Sequence, residues 1–189
     1  MPDPELFQNK YRVRSTRLSD WDYSENGSYF VTICTEDRKM FFGEIFDYQM
    51  YLSKIGKIAN KFWLEIPQHF DFVNLDEFAI MPNHLHGVVD IDRSIDFSGR
   101  DAINRVSTGG ITKSKNPMLG ESLGRIIRWY KGRVSYEVNK KFPQINFSWQ
   151  SGFYEYIIRG EKDLDKIRDY VINNSANWVE DKNNPENFE

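Results

Sequence analysis

Apolar and polar positions along the chain fall into stretches of two periods. Tyr29, Phe30, Val31, Ile33 and Cys34 make residues 28–35 a β-branched and aromatic run behind Asn26 and Gly27, and predict a strand. After a loop through Gly43, Ile55, Ile58, Ala59 and Phe62 recur at helical spacing, and Pro67 closes a helix over 53–65. Residues 72–80 predict a second strand, Pro82 and Asn83 a turn, and 84–91 a third strand pairing back on the second. Leu119, Leu123, Ile126, Ile127, Tyr130, Val134 and Val138 form one stripe of a long helix over 119–139. Two short extended segments follow around Gly152, at 147–150 and 153–158. A last helix over 162–174 buries Leu164, Ile167 and Val171, with Trp178 continuing the stripe.

The intervening stretches have a different composition. Residues 92–118 are rich in Ser, Gly, Asn and Lys, and a connection of that length predicts a mobile loop. The chain divides into an N-terminal arm (1–27), a single domain (28–178) and an acidic tail (179–189) carrying Glu180, Asp181, Glu186 and Glu189. A hydrophobic content of 40% argues against disorder. No apolar run reaches membrane-spanning length, the first residues lack a signal-peptide layout, and a single cysteine excludes an intrachain disulfide; a cytoplasmic location is expected. Neither a Walker-type phosphate loop nor a Gly-x-Gly-x-x-Gly turn occurs, so nucleotide-driven chemistry has no support.

The net charge of −3 does not suggest a nucleic-acid binder, but its distribution does. Lys10, Arg12, Arg14 and Arg17 cluster with no acid among them. Over 121–141, Arg125, Arg128, Lys131, Arg133, Lys140 and Lys141 face only Glu121 and Glu137. Two such patches suit contact with a phosphate backbone, and ordinary solvated faces would look the same. The aromatics of 147–158 serve either core packing or base stacking.

Two of the three histidines, His84 and His86, sit at i and i+2 on the third strand. Alternation places both imidazoles on one face roughly 6 to 7 Å apart, a spacing that can grip one divalent metal. On the last helix Tyr170 and Asn174 are one turn apart at the edge of the buried stripe. Tyr130 falls in an apolar stripe and reads as packing, Tyr136 is a rival to Tyr170, and His69 has no partner spacing.

Taken together, these stretches resemble the REP-associated tyrosine transposases and their relatives, the HUH-type single-strand insertion-sequence transposases. The resemblance rests on residues 29–35 leading to Phe42, Gly43 and Glu44; on the run from Met81 through His84, Leu85 and His86 to Val89; and on the basic helix. It continues through Trp149 and Gln150, Gly152 to Tyr154, Ile157 to Arg159, and Tyr170, Asn174 and Trp178 at four-residue intervals. It implies an α+β, ferredoxin-like domain with a mainly antiparallel sheet, helices packed on one face and the His pair on a central strand. It further implies that His84, His86 and Asn174 hold Mg²⁺ or Mn²⁺, and that Tyr170 is the nucleophile. The activity implied is cleavage and rejoining of single-stranded or hairpin DNA through a 5′-phosphotyrosine. Lys10, Arg12, Arg14, Arg125, Arg128, Lys131 and Arg133 would hold the DNA, and the Gly160 and Glu161 connection allows a homodimer. Ser175 stands where members often have Pro after the helix Asn.

Two other functions fit the residues. One is a DNA- or RNA-hairpin binding protein that keeps this fold without catalysis. The other is a small metal-dependent hydrolase or oxygenase using His84, His86 and a carboxylate, for which Asp76 and Glu77 are the candidates.

Overall fold

A computed structural model of the protein describes residue 23 and residues 25–94 and 122–187. Lys10, Arg12 and Arg14, and most of the 92–118 loop, lie outside the described residues. In chain order the elements are β1 (Gly27–Cys34), β2 (Gly43–Phe46), β3 (Gln49–Leu52), α1 (Lys54–Leu64), the single turn α2 (Ile66–His69), β4 (Val73–Ile80) and β5 (His84–Ile91). They continue with α3 (Leu123–Lys141), β6 (Tyr154–Ile157) and α4 (Glu161–Ile172).

Four strands form one sheet in the order β4-β5-β1-β6, and every neighbouring pair is antiparallel. With α1 between β1 and β4 and α3 between β5 and β6, the connectivity is βαββαβ, the ferredoxin-like arrangement. β5 lies inside the sheet with a partner on each side, so the histidines open a central strand as expected.

Alternation assigns the two faces. Tyr29, Val31 and Ile33 of β1 and Leu85, Val89 and Ile91 of β5 pack with α1 and α3, through Phe62, Trp63, Ile126, Tyr130 and Val134. Ser53 caps α1, its hydroxyl accepting from the backbone N–H groups of Ile55 and Gly56 at 3.1 and 3.0 Å. Trp63 comes so close to β5 that a Cβ on Gly87 would lie 2.4 Å from its ring, so this strand position needs glycine.

Phe30 and Val88 point to the other face, where Leu164, Ile167 and Val171 of α4 cover them. The two long helices thus share one face, and the tyrosine helix lies against the opposite one beside the histidines. An Arg168 fork on Asp76 pins α4 to β4, with Nε 2.9 Å from Oδ1 and Nη2 2.7 Å from Oδ2. Asp76 stands in a β-bulge between Leu75 and Phe78, where the ladder shifts register.

The loop through Gly43 contains structure that periodicity did not predict. Residues 43–52 form the β2–β3 hairpin, turning at Asp47 and Tyr48 with φ of 50° and 62°, a primed turn that matches strand twist. Its strands are four residues long and neither face is fully covered, so no strong alternation marks them.

Candidate metal and tyrosine centre

His84 and His86 are both fully buried, and their Nε2 atoms face each other at 3.0 Å. The turn ahead of β5 fixes the first ring. Asn83 donates its amide hydrogens to the carbonyls of Arg38 and Asn183, at 3.1 and 2.7 Å, which turns its Oδ1 toward His84 Nδ1 at 2.8 Å. His84 therefore carries its proton on Nδ1 and presents a bare Nε2. Strand register fixes the second ring, since Thr32 pairs with His86 across β1 and β5 and its hydroxyl lies 2.9 Å from His86 Nδ1.

Burial, reinforced by the charges of Arg38 and Lys182, pushes the pKa of His84 down to about 3. That of His86 is also strongly lowered, by burial and then by His84. Both rings are therefore neutral near pH 7, the state in which imidazole is a ligand.

Asp181 is the carboxylate of this centre. The chain after α4 returns over the site, with Trp178 stacked on His84 at 6.1 Å and Arg38 Nη1 donating to the Lys182 carbonyl at 2.7 Å. Asp181 Oδ1 accepts from the Asn183 backbone N–H at 2.6 Å, while Oδ2 lies 3.7 Å from His84 Nε2 and has no hydrogen-bond partner among the described residues. Because His84 is neutral, that contact is not an ion pair. It is one of three acceptors aimed at a common point: ligand atoms of His84, His86 and Asp181 all lie within 4.8 Å of one another.

Asn174, expected as the third ligand, is buried beside Tyr170, and among the described residues its Oδ1 also has no hydrogen-bond partner. Buried imidazole and oxygen acceptors that converge in this way are an arrangement a divalent cation satisfies.

Tyr170 reaches the same centre from α4, its hydroxyl 3.2 Å from His86 Nε2 and its ring edge-on to Phe30 at 6.0 Å. Burial and the Asp181 charge raise its pKa, and a hydrogen bond from the Asn174 side chain opposes them. A cleft of about 690 Å³ opens beside it, lined by Thr32, His86, Tyr154, Tyr156, Tyr170 and Lys182 among others.

The remaining candidates lie elsewhere. Asp76 is held by Arg168 and Glu77 is exposed, so neither joins the histidines. Arg125, Arg128 and Arg133 are exposed on α3, across the sheet from the His pair, with Arg125 and Arg133 over the rings of Phe70 and Phe62. Lys131 Nζ donates to the carbonyls of Gln150 and Gly152 at 2.7 and 2.8 Å, and burial pushes its pKa down to about 8. Tyr136 is exposed on α3, and His69 stacks on Trp129 at 4.6 Å.

Asp181 escaped the sequence reading because it lies in a stretch that composition marks as a solvated tail. A local signal was present in the turn-forming run Asn183, Asn184 and Pro185 directly after it.

No protein-family model matches the chain. An uncharacterized protein of Haemophilus influenzae is 35% identical over 169 residues, covering 89% of this chain and 91% of the relative. Among solved structures, a REP-associated tyrosine transposase bound to a REP hairpin superposes with a TM-score of 0.54 at 15% identity. That match covers 89% of this chain and 73% of the other, and at this identity it shows the shared fold.

Proposed function

The chain belongs to the family of the Haemophilus influenzae protein, and from that premise and the centre's geometry we propose that it is a metal-dependent tyrosine nuclease and strand transferase acting on single-stranded or hairpin DNA. The observation that carries this reading is the Tyr170 hydroxyl 3.2 Å from His86 Nε2, at the rim of the acceptors of His84, His86 and Asp181. A metal hydrolase could use the same histidines and carboxylate, but it has no need of a phenol at that position. The fold shared with a hairpin-bound transposase supports DNA as the substrate.

His84, His86 and Asp181 would hold Mg²⁺ or Mn²⁺, with Asn174 Oδ1 as a further oxygen donor. When bound, the ion supplies positive charge to the scissile phosphate. Asn83 and Thr32 keep the two rings in the ligating orientation, and Trp178 shields His84 from solvent.

Tyr170 Oη attacks phosphorus, forming the phosphotyrosyl bond as the bond to the 3′ oxygen breaks. The phenol gives up one proton and the departing 3′ oxygen takes one up. One phosphodiester replaces another, so reversal by a new 3′-hydroxyl rejoins a strand without a nucleotide cofactor. The Asn174 side chain beside the phenol pulls its pKa down and so favours the phenolate that attacks. Cation charge at the centre would offset Asp181, which opposes it.

In this reading the chain is one catalytic domain. Lys10, Arg12 and Arg14 of the arm, with Arg125, Arg128 and Arg133 of α3, bind backbone phosphates away from the centre, and a homodimer is compatible with the glycine link at Gly160.

The test is incubation with a labelled hairpin oligonucleotide and Mn²⁺, followed by a denaturing gel. A covalent band that chelator and His84→Ala both abolish supports the reading. Cleavage without a protein-linked product would favour the hydrolase.

A further inference from the structure

The edge strand β6 presents two tyrosines to the cleft, and neither packing nor the centre accounts for them. Its residues alternate, with Glu155 and Ile157 buried and Tyr154 and Tyr156 at 42% and 41% exposure. Register places Tyr154 beside Thr32 and Tyr156 beside Phe30, on the sheet face that carries His86. Both rings line the cleft that holds His86 and Tyr170. Asp163 at the start of α4 lies beside the Tyr156 hydroxyl and raises its pKa. Lys182 Nζ stands 5.5 Å from the Tyr154 ring.

Side chains two apart on a strand are spaced by roughly 6 to 7 Å. Bases separated along an unstacked strand can match that spacing, whereas neighbouring bases of a stacked duplex, about 3.4 Å apart, cannot. Asp163 and Glu180 also line the cleft, so it is no simple cationic groove. What it offers a nucleic acid is ring faces, with Lys182 as the cation placed to meet a phosphate.

We propose that Tyr154 and Tyr156 form a stacking shelf for two unpaired bases of the DNA strand whose scissile phosphate lies at Tyr170. The shelf rests on the strand-cleavage reading above and adds the substrate feature it requires, unpaired bases flanking the cleaved bond. Stacking gives affinity with little dependence on base identity, whereas the salt dependence of binding comes from phosphate contacts.

The test uses the full chain in a Tyr170→Phe background, to prevent turnover, with Mg²⁺ and a fluorescent single-stranded oligonucleotide followed by anisotropy across a salt series. Tyr154→Ala and Tyr156→Ala should each weaken binding about ten-fold, while Tyr154→Phe and Tyr156→Phe stay near the parent. The slope of affinity against salt should be unchanged by either Ala variant, because no phosphate contact is removed. Melting temperatures should be preserved, since both rings are half-exposed.

Ala variants that bind as well as the parent overturn the shelf, and so does equal loss in the Ala and Phe variants. Strand cleavage is scored separately on chains retaining Tyr170. A covalent adduct with unaffected Ala variants refutes the shelf alone, and Ala-sensitive binding without an adduct refutes the cleavage reading alone. A parent that binds no single strand refutes both.

Discussion

Tyr170 and His86 lie 84 positions apart in the chain and meet with the phenol oxygen 3.2 Å from Nε2. Two independent devices create that contact. The β1–β5 register sets His86 against Thr32, and the packing of Leu164, Ile167 and Val171 on Phe30 and Val88 brings α4 over the same face. The Arg168 fork on Asp76 holds the helix at its outer edge.

Asp181 and Asp76 should separate cleanly by function. Asp181→Asn is expected to weaken Mn²⁺ binding at least about ten-fold, because it removes the charged oxygen aimed at the histidines. Asp76→Asn should leave Mn²⁺ affinity unchanged, its carboxylate being committed to Arg168. Calorimetric titration of both variants checks this. Equal affinities for wild type and Asp181→Asn would remove Asp181 from the ligand set.

Acid should loosen the anchoring of α4 through Asp76. Its hydrogen bonds from Arg168 hold the carboxyl below the usual carboxylate range. The folded-state pKa thus lies below the unfolded value of about 3.9. The pair's contribution is complete above that pH and is lost as pH falls through the folded-state value. In thermal melts with chelator present, Asp76→Asn should melt lower than wild type at pH 7 and converge with it toward pH 2. Parallel curves across that range would show that the ion pair does not anchor the helix.

Gly87→Ala tests whether sheet packing and the centre are coupled. The added methyl would meet the buried Trp63 ring at 2.4 Å, and overpacking of this kind costs about 1–3 kcal/mol. Urea unfolding should show that loss, and Mn²⁺ affinity should fall with it because His86 is the preceding residue. An unchanged urea midpoint would mean that α1 can retreat from the strand freely.

The parts legible in the sequence were those written in local periodicity. Residues 84–91 read as a strand because both faces of β5 are covered, and 53–65 read as a helix because Ser53 caps it and one stripe is apolar. The His pair was visible through the same alternation. The β2–β3 hairpin was not, because its short, half-exposed strands carry no clear alternation. Asp181 was hidden for a different reason. Its role depends on the chain's return over His84, secured by Asn83, Arg38 and Trp178, and no period within 179–189 records contacts with residues so distant in the chain. The outward direction of Tyr154 and Tyr156 likewise required the register of β6 on β1, which a four-residue strand does not declare.

Locating the protein–DNA linkage decides whether Tyr170 is the nucleophile. After incubation with Mn²⁺ and a single-stranded hairpin oligonucleotide, the protein is digested and the nucleotide-bearing peptide is identified by mass spectrometry. A 5′-phosphate ester is expected on the peptide containing Tyr170, with no adduct in Tyr170→Phe. An adduct on Tyr136 or another tyrosine, or one that persists in Tyr170→Phe, would contradict it.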